Sequence, residues 1–273
     1  MIRTSDARTI QLANQGLINN PFVAWDNFAA RLATLGGTAV LAGGERANAV
    51  TGSTYDKWRP NVSGTTAALS FDFGVVTAIG FAAIAAHNAN VFGATVQLQS
   101  SPDNATWTTV ASAVATVGVM AFRVTGVARY WRFNFTGLTA AAPLSVGVAF
   151  LSRELIMPRR LYQGYAPVIT ATEVQLQSNV SVGGQLLGSS VITQGSRLSA
   201  NISLIPSAFI RGADWVAFQT AFGIGKGFFF AWRPDAFPQD VHYCWRDGGV
   251  IRPENTGPLD FMSVSIGARV YNG

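Results

Sequence analysis

The sequence predicts an all-β fold built as two units, and three observations predict it. Apolar residues recur at every second position in Leu69, Phe71 and Phe73, in Trp131, Phe133 and Phe135, and again in Leu198, Ala200, Ile202 and Leu204. A period of two buries one face of an extended strand. Gly, Pro and Asn turns separate these runs at the short intervals of a sandwich or barrel. Between the two sets lies SRELIMPRR at 152–160, with one Glu against three Arg and a Pro, which reads as a strap between units 1–155 and 156–273.

The elements follow in order. Residues 7–35 carry mixed helical spacing, and FVAWDNFAARLATL reads as a short amphipathic helix. Beyond residue 38 the period is two. VVTAIGFAAIAA at 75–86 falls short of the roughly 20 residues a membrane-spanning helix needs, so it reads as a buried strand pair. VQLQSSPDNATWTTV at 96–110 is a strand, a tight turn and a second strand. Leu144, Val146, Val148 and Phe150 form a further strand. In the second unit, Val241, Tyr243 and Trp245 alternate, as do Met262, Val264, Ile266, Ala268 and Val270. GADWVAFQTAFG at 212–223 is the one helix there, with Trp215, Phe218 and Phe222 on one face and Gly223 as its cap. VQLQS returns at 174–178, a shared strand pattern rather than a repeat.

Charged residues are only 12% of the chain against 49% hydrophobic, about half the usual share of charge. A surface so poor in charge suggests cover by neighbouring subunits. The net charge is +5, yet no Lys or Arg occurs between Arg59 and Arg123. Nucleic-acid binding requires clustered cations, so it is not expected. All basic residues except Lys57 and Lys226 are Arg, which suits planar pairing at interfaces. MIRTSDARTIQ has no signal-peptide core, so a cytoplasmic chain is expected, and the Asn-x-Ser/Thr triplets then serve turns and strands.

Catalytic, metal and cofactor chemistry are not expected. His242 and Cys244 share a strand face, but no further Cys or His cluster completes a metal site. His87 has no acid at a defined spacing, and no G-x-S-x-G elbow is present. DFG at 72–74 lacks the other kinase signatures, leaving Asp72 as an outward residue at a strand end. GIGKG at 223–227 lacks the phosphate-loop spacing and reads as a turn.

Residues 45–135 run ERANAVTGSTYDKWRP, LSFDFG, VQLQSSPDNATWTTV and ARYWRFNF. In that order they resemble the discoidin-like, galactose-binding-like jelly-roll β-sandwich. The resemblance puts Trp58 in the core, and the alternation beyond residue 160 adds a second β-sandwich or barrel after it. The residues themselves make Ser101 and Asp103 turn formers that bond nearby backbone N–H groups. Trp107 is expected to fill the core edge. Arg129 and Arg132 lie on opposite faces of one strand, so at most one is expected inward. Members of this family bind glycans through loops at one end, and here such loops include Tyr55, Lys57, Arg59, His87, Asn88, Asn90 and Phe92. As a turn, AHNAN has a simpler explanation.

TYDKWRP followed by IAAHN resembles β-sandwich domains of long-tailed bacteriophage tail proteins, and LIMPRRLYQGY to MSVSIGARVY resembles distal or minor tail proteins. The resemblance implies a non-enzymatic virion subunit, assembled in the host cytoplasm. It would form a homo-oligomeric ring or collar between the tail tube and the tip or hub. The alternative is a carbohydrate-binding module recognising a host-surface glycan.

Overall fold

The computed structural model describes residues 1–161, 165–168, 172–256 and 259–272. In chain order the first half contains β1 (Ile2–Thr4), α1 (Asp6–Asn14), β2 (Phe22–Ala24), α2 (Phe28–Leu32) and β3 (Thr34–Gly37). Then come β4 (Thr66–His87), β5 (Thr95–Ser101), β6 (Thr108–Val114), β7 (Met120–Thr136), β8 (Val146–Ser152) and β9 (Leu155–Ile156). The second half holds β10 (Thr172–Val180), β11 (Leu186–Pro206), α3 (Ser207–Ile210), α4 (Ala213–Gly223) and β12 (Phe228–Ala231). It closes with β13 (Val241–Arg246), β14 (Glu254–Asn255) and β15 (Phe261–Val270). The fold is all-β, with the expected helix of the second half present as α4.

Two long antiparallel strands, β4 and β7, organise the first half. Their register breaks between Asp72 and Thr77 and again between Ile79 and Phe81, and such irregularities bend a strand and raise its twist. Each end of the pair therefore gathers different neighbours. β3 joins the start of β4, and β5 with β6 extends from the end of β7. β8 joins the end of β4, while β1 runs parallel to the start of β7. Leu69, Phe71, Phe133 and Phe135 from one layer meet Ile84, Phe122, Ala149 and Leu151 from the other in a single core.

The second sheet has the order β10-β11-β15-β13-β12-β2-β9, with β14 on β15. One face buries Leu198, Ile202, Phe230 and Ile266 beneath Trp215, Phe218 and Phe222 of α4. On the opposite face, Phe22, Phe229, Val241 and Tyr243 pack against Phe81, Ala83, Val148 and Phe150 of the first half. Phe229 has its ring 5.5 Å from Phe81 and 5.2 Å from Phe150. The protein is thus three β layers and a helical layer, with three cores between them. Its middle layer is buried on both faces.

Several expectations change accordingly. Residues 75–86 belong to the one strand β4, not to a strand pair, and Val75 and Val76 are exposed where the register breaks. From Ile79 onward the run is apolar because strands covered on both faces need no alternation. The helix expected from FVAWDNFAARLATL is confined to α2, where Asn27 accepts from the Ala29 N–H at 3.2 Å. Phe22 to Ala24 instead form β2, all three buried, with Val23 facing one core and its neighbours the other. The glycine that turns left-handed after α4 is Gly225 (φ +79°), not Gly223, which lies within the helix.

The 152–160 segment is stitched into the fold. Leu155 and Ile156 pair with β2. The buried Glu154 carboxylate accepts from Arg123 Nε at 2.5 Å and Nη2 at 3.0 Å, and from Arg8 Nη2 at 2.5 Å. The division expected at 155/156 assigns β2 to the first unit, whereas β2 is hydrogen-bonded into the second sheet beside β12.

Candidate functional site

The clearest surface feature is a two-stranded ribbon. β11 pairs with β15 only from Ser196 onward. Its earlier part, from Leu186, pairs with β10 alone, so the hairpin extends past the end of β15. At its base Arg197 pairs with Glu173 at 3.1 Å and Asp247 at 2.8 Å, and Arg269 reaches Asp247 at 3.2 Å. Beyond this ionic collar, residues 174–196 contain no Asp, Glu, Lys or Arg. Val174, Leu176, Val180, Val182, Leu186, Leu187 and Val191 are all exposed, from 43% to 111%. The turn is closed by the Ser181 N–H donating to the Gln185 carbonyl at 2.8 Å, with Gly184 at φ +80°. A lone two-stranded hairpin is marginally stable in water. An uncharged edge is also a template for pairing with another chain.

The sequence offered VQLQS at 174–178 as a strand pattern shared with 96–100. Among the described residues no layer covers the strand. The absence of charge over 174–196 was the signal for this surface, and periodicity concealed it.

The expected ligand loops meet at one end of the first sandwich, where Trp58 and His87 both lie beside Val146. Tyr55 is 89% exposed. Arg59 is exposed and donates to the Ala42 carbonyl at 3.0 Å. His87 is half-buried, both ring nitrogens lack a hydrogen-bond partner among the described residues, and burial pushes its pKa down to about 4. The Asn88 side chain is committed to the Pro143 carbonyl at 2.8 Å and the Ser145 N–H at 2.7 Å. Asn90 is half-buried in a short 3-10 turn, and Phe92 packs against the first core.

The residues assigned to turns and packing are placed as follows. Trp58 is fully buried, its ring 5.9 Å from Phe135. Ser101 Oγ accepts from the N–H groups of Asp103 and Asn104 and donates to Asp103 at 2.9 Å. Backbone N–H donation from Thr106, then Ala105, and the Ser101 hydroxyl hold the Asp103 carboxyl down to about 2. Trp107 is half-buried outside the core cluster, its ring 4.1 Å from the Arg132 guanidinium. Neither Arg129 nor Arg132 enters the core. Arg129, 42% exposed, pairs with Asp72 at 2.8 Å, and Arg132 donates to Gln99 at 2.6 Å. The strand's inward places are taken by Trp131, Phe133 and Phe135.

His242 and Cys244 are buried. His242 Nε2 lies 2.7 Å from Asp240 Oδ1, and Tyr165 donates to the other oxygen of Asp240 at 3.0 Å. Burial pushes the Cys244 thiol up. Among the described residues no three His, Cys, Asp or Glu are grouped to hold a metal ion. No helix there is long and apolar enough to cross a membrane.

No protein-family model and no curated protein matches the chain. Solved structures similar to part of it include chitosan-binding module 1 from a chitosanase/glucanase of Paenibacillus sp. IK-5. That match has 18% identity and a TM-score of 0.40, over 46% of this chain and 98% of that one. Another is a module of Clostridium perfringens in complex with GalNAc-β-1,3-galactose, at 10% identity and a TM-score of 0.40, covering 46% and 99%. A third is a Ruminococcus gnavus fucosidase in complex with fucose, at 15% identity and a TM-score of 0.40, covering 47% and 26%. Each likeness spans less than half of this chain.

Proposed function

We propose that this protein is a non-catalytic structural subunit of a phage tail, assembling into a ring or collar near the distal end. In that position it links the tube to tip or receptor-binding parts. The observation that carries the reading is the uncharged ribbon of β10 and β11, apolar on its surface and uncovered by the described residues. Repetition of one subunit around an axis covers such a surface on every copy, and a head-to-tail contact that closes gives a ring. The resemblance of TYDKWRP, IAAHN and the C-terminal half to tail proteins supports the same reading, as does the Arg-rich, charge-poor composition.

Sedimentation of the purified chain is expected to give a multiple of 29.0 kDa, and the paired substitution Leu176→Lys and Leu187→Lys is expected to return it to one subunit. Labelled antibody is expected to decorate the tail of intact particles. A persistent monomer absent from virions would overturn the reading.

A second reading, recognition of a host-surface glycan by the first sandwich, is favoured by the exposed Tyr55 beside Arg59 and His87 at one end of that sandwich. Replacing the three together is expected to weaken binding of the protein to host cells. Unchanged adsorption would count against it.

A further inference from the structure

We infer that the cleft between the first sandwich and the second sheet is a binding site for a short saccharide bearing one anionic group. The inference shares its ligand class with the second reading above and goes beyond it by placing a ligand at a different site, in this cleft. The cleft has a volume of about 730 Å³, within the range of small-molecule sites. Five separate segments line it: the start of α2, the loop at 50–54, Phe150, the α4–β12 turn and β13.

Its construction is specific. Tyr243 of β13 donates its hydroxyl to the Gly52 carbonyl at 2.7 Å, clasping a loop of the first sandwich to the second sheet. Burial raises the pKa of that hydroxyl, which stays a neutral donor. A Cβ on Gly227 would come within 2.0 Å of the Tyr243 oxygen, and Gly52 holds φ +88° with a Cβ position 3.1 Å from it. Both loops therefore approach the tyrosine only as glycine, leaving bare backbone N–H and C=O groups along the wall. The last glycine of GIGKG, Gly227, has its reason here.

Trp25 and Trp245, both half-buried, supply planar apolar surface to the same cleft. An indole joins a flat apolar face to a polar N–H, a combination that suits the C–H face and hydroxyls of a pyranose. The charges on the lining are Asp26, Arg31 and Lys226. Arg31 is spent on Asp26, through Nε at 3.2 Å and Nη2 at 2.8 Å. Lys226 is exposed and has no ionic partner among the described residues. One free cation beside a paired carboxylate matches one carboxylate on a sugar and disfavours a polyphosphate.

The test uses the full chain and two probes, a glucuronate-N-acetylglucosamine disaccharide and its methyl ester, read by saturation-transfer NMR and calorimetry. Trp245→Ala is expected to weaken binding of the acid about tenfold. Lys226→Met is expected to weaken the acid and leave the ester unchanged. Ser53→Trp, which fills the mouth without touching a core, is expected to block both and guards against a Trp245 variant that fails to fold. Joint replacement of Tyr55, Arg59 and His87 is expected to change nothing. Binding that survives Ser53→Trp and Lys226→Met but is lost in that triple variant would overturn the cleft and leave the second reading standing. No transfer to either sugar at about 10 mM, or tighter binding of adenosine monophosphate, would overturn the ligand class.

Discussion

The middle β layer and the projecting ribbon are two charge-poor sheet regions of this molecule, and they differ in what lies against them. Phe81, Ala83 and Phe150 of the middle layer face Phe229 and Tyr243 on one side, while Ile84, Ala149 and Leu151 face the first core on the other. Leu176, Leu187 and Val191 of the ribbon are left exposed by the described residues. The middle layer satisfies its apolar surface intramolecularly and cannot take another partner without unfolding. The ribbon keeps that capacity for an intermolecular contact. A short supply of charge thus has two meanings, and only the third dimension separates them.

The most severe way to break the comparison is to divide the chain. Residues 156–273 alone lack β2 and bare Phe229, Val241 and Tyr243, so the fragment is expected to show no cooperative unfolding and poorly dispersed NMR resonances. A well-folded fragment would restore the division at 155/156 and reduce the shared core to a docking contact.

Next in size is Glu154→Ala. Its carboxylate and the Arg123 guanidinium are both buried, and a buried charge stripped of its partner costs about 3–5 kcal/mol. Urea denaturation should record that loss. A change below ~1 kcal/mol would show that water reaches Arg123.

A direct contrast comes from two truncations. Phe229→Ala in the shared core is expected to cost about 3–5 kcal/mol. Leu187→Ala on the ribbon is expected to stay within about 0.5 kcal/mol for the dissociated subunit. Equal costs would mean that the ribbon is packed in the subunit after all.

A further expected effect is in pH. The His87 pKa is pushed by burial from 6.5 in the unfolded chain to about 4, so the unfolded chain binds more protons between those values. Stability should fall as pH drops from about 6.5 to about 4 and then level off for this group. His87→Gln should flatten that part of the stability profile. An unchanged slope would assign it to other groups.

Much of the fold was legible in the sequence. Strands with one buried face, such as Leu69 to Phe73 and Trp131 to Phe135, announced themselves by alternation, and α4 by the spacing of Trp215, Phe218 and Phe222. β2 did not, because three residues buried on both sides carry no period, and the following helix pattern absorbed them. Trp107 was expected at the core edge, whereas it lies half-buried just before β6 with its ring against the Arg132 guanidinium of β7. Of the candidate sites, the loop set at 55–59 and 87–92 was visible as a polar and aromatic mixture. The cleft was not, since its lining comes from segments as far apart as Trp25 and Trp245, and only folding joins them.

The pairing of β2 with β12 also sets a timetable for synthesis. Phe22 to Ala24 leave the ribosome roughly 200 residues before Phe229 to Ala231, which at about 5–20 residues per second is a wait on the order of 10–40 s. The outer face of Phe81, Ala83 and Phe150 is complete once Phe150 has emerged and then waits about 80 residues for Phe229, on the order of 4–16 s, while the first core is already able to close. Ribosomes following one another on a single message hold several such faces close together. The yield of soluble protein therefore depends on how densely the message is loaded, and on chaperones occupying the face until the last strands emerge.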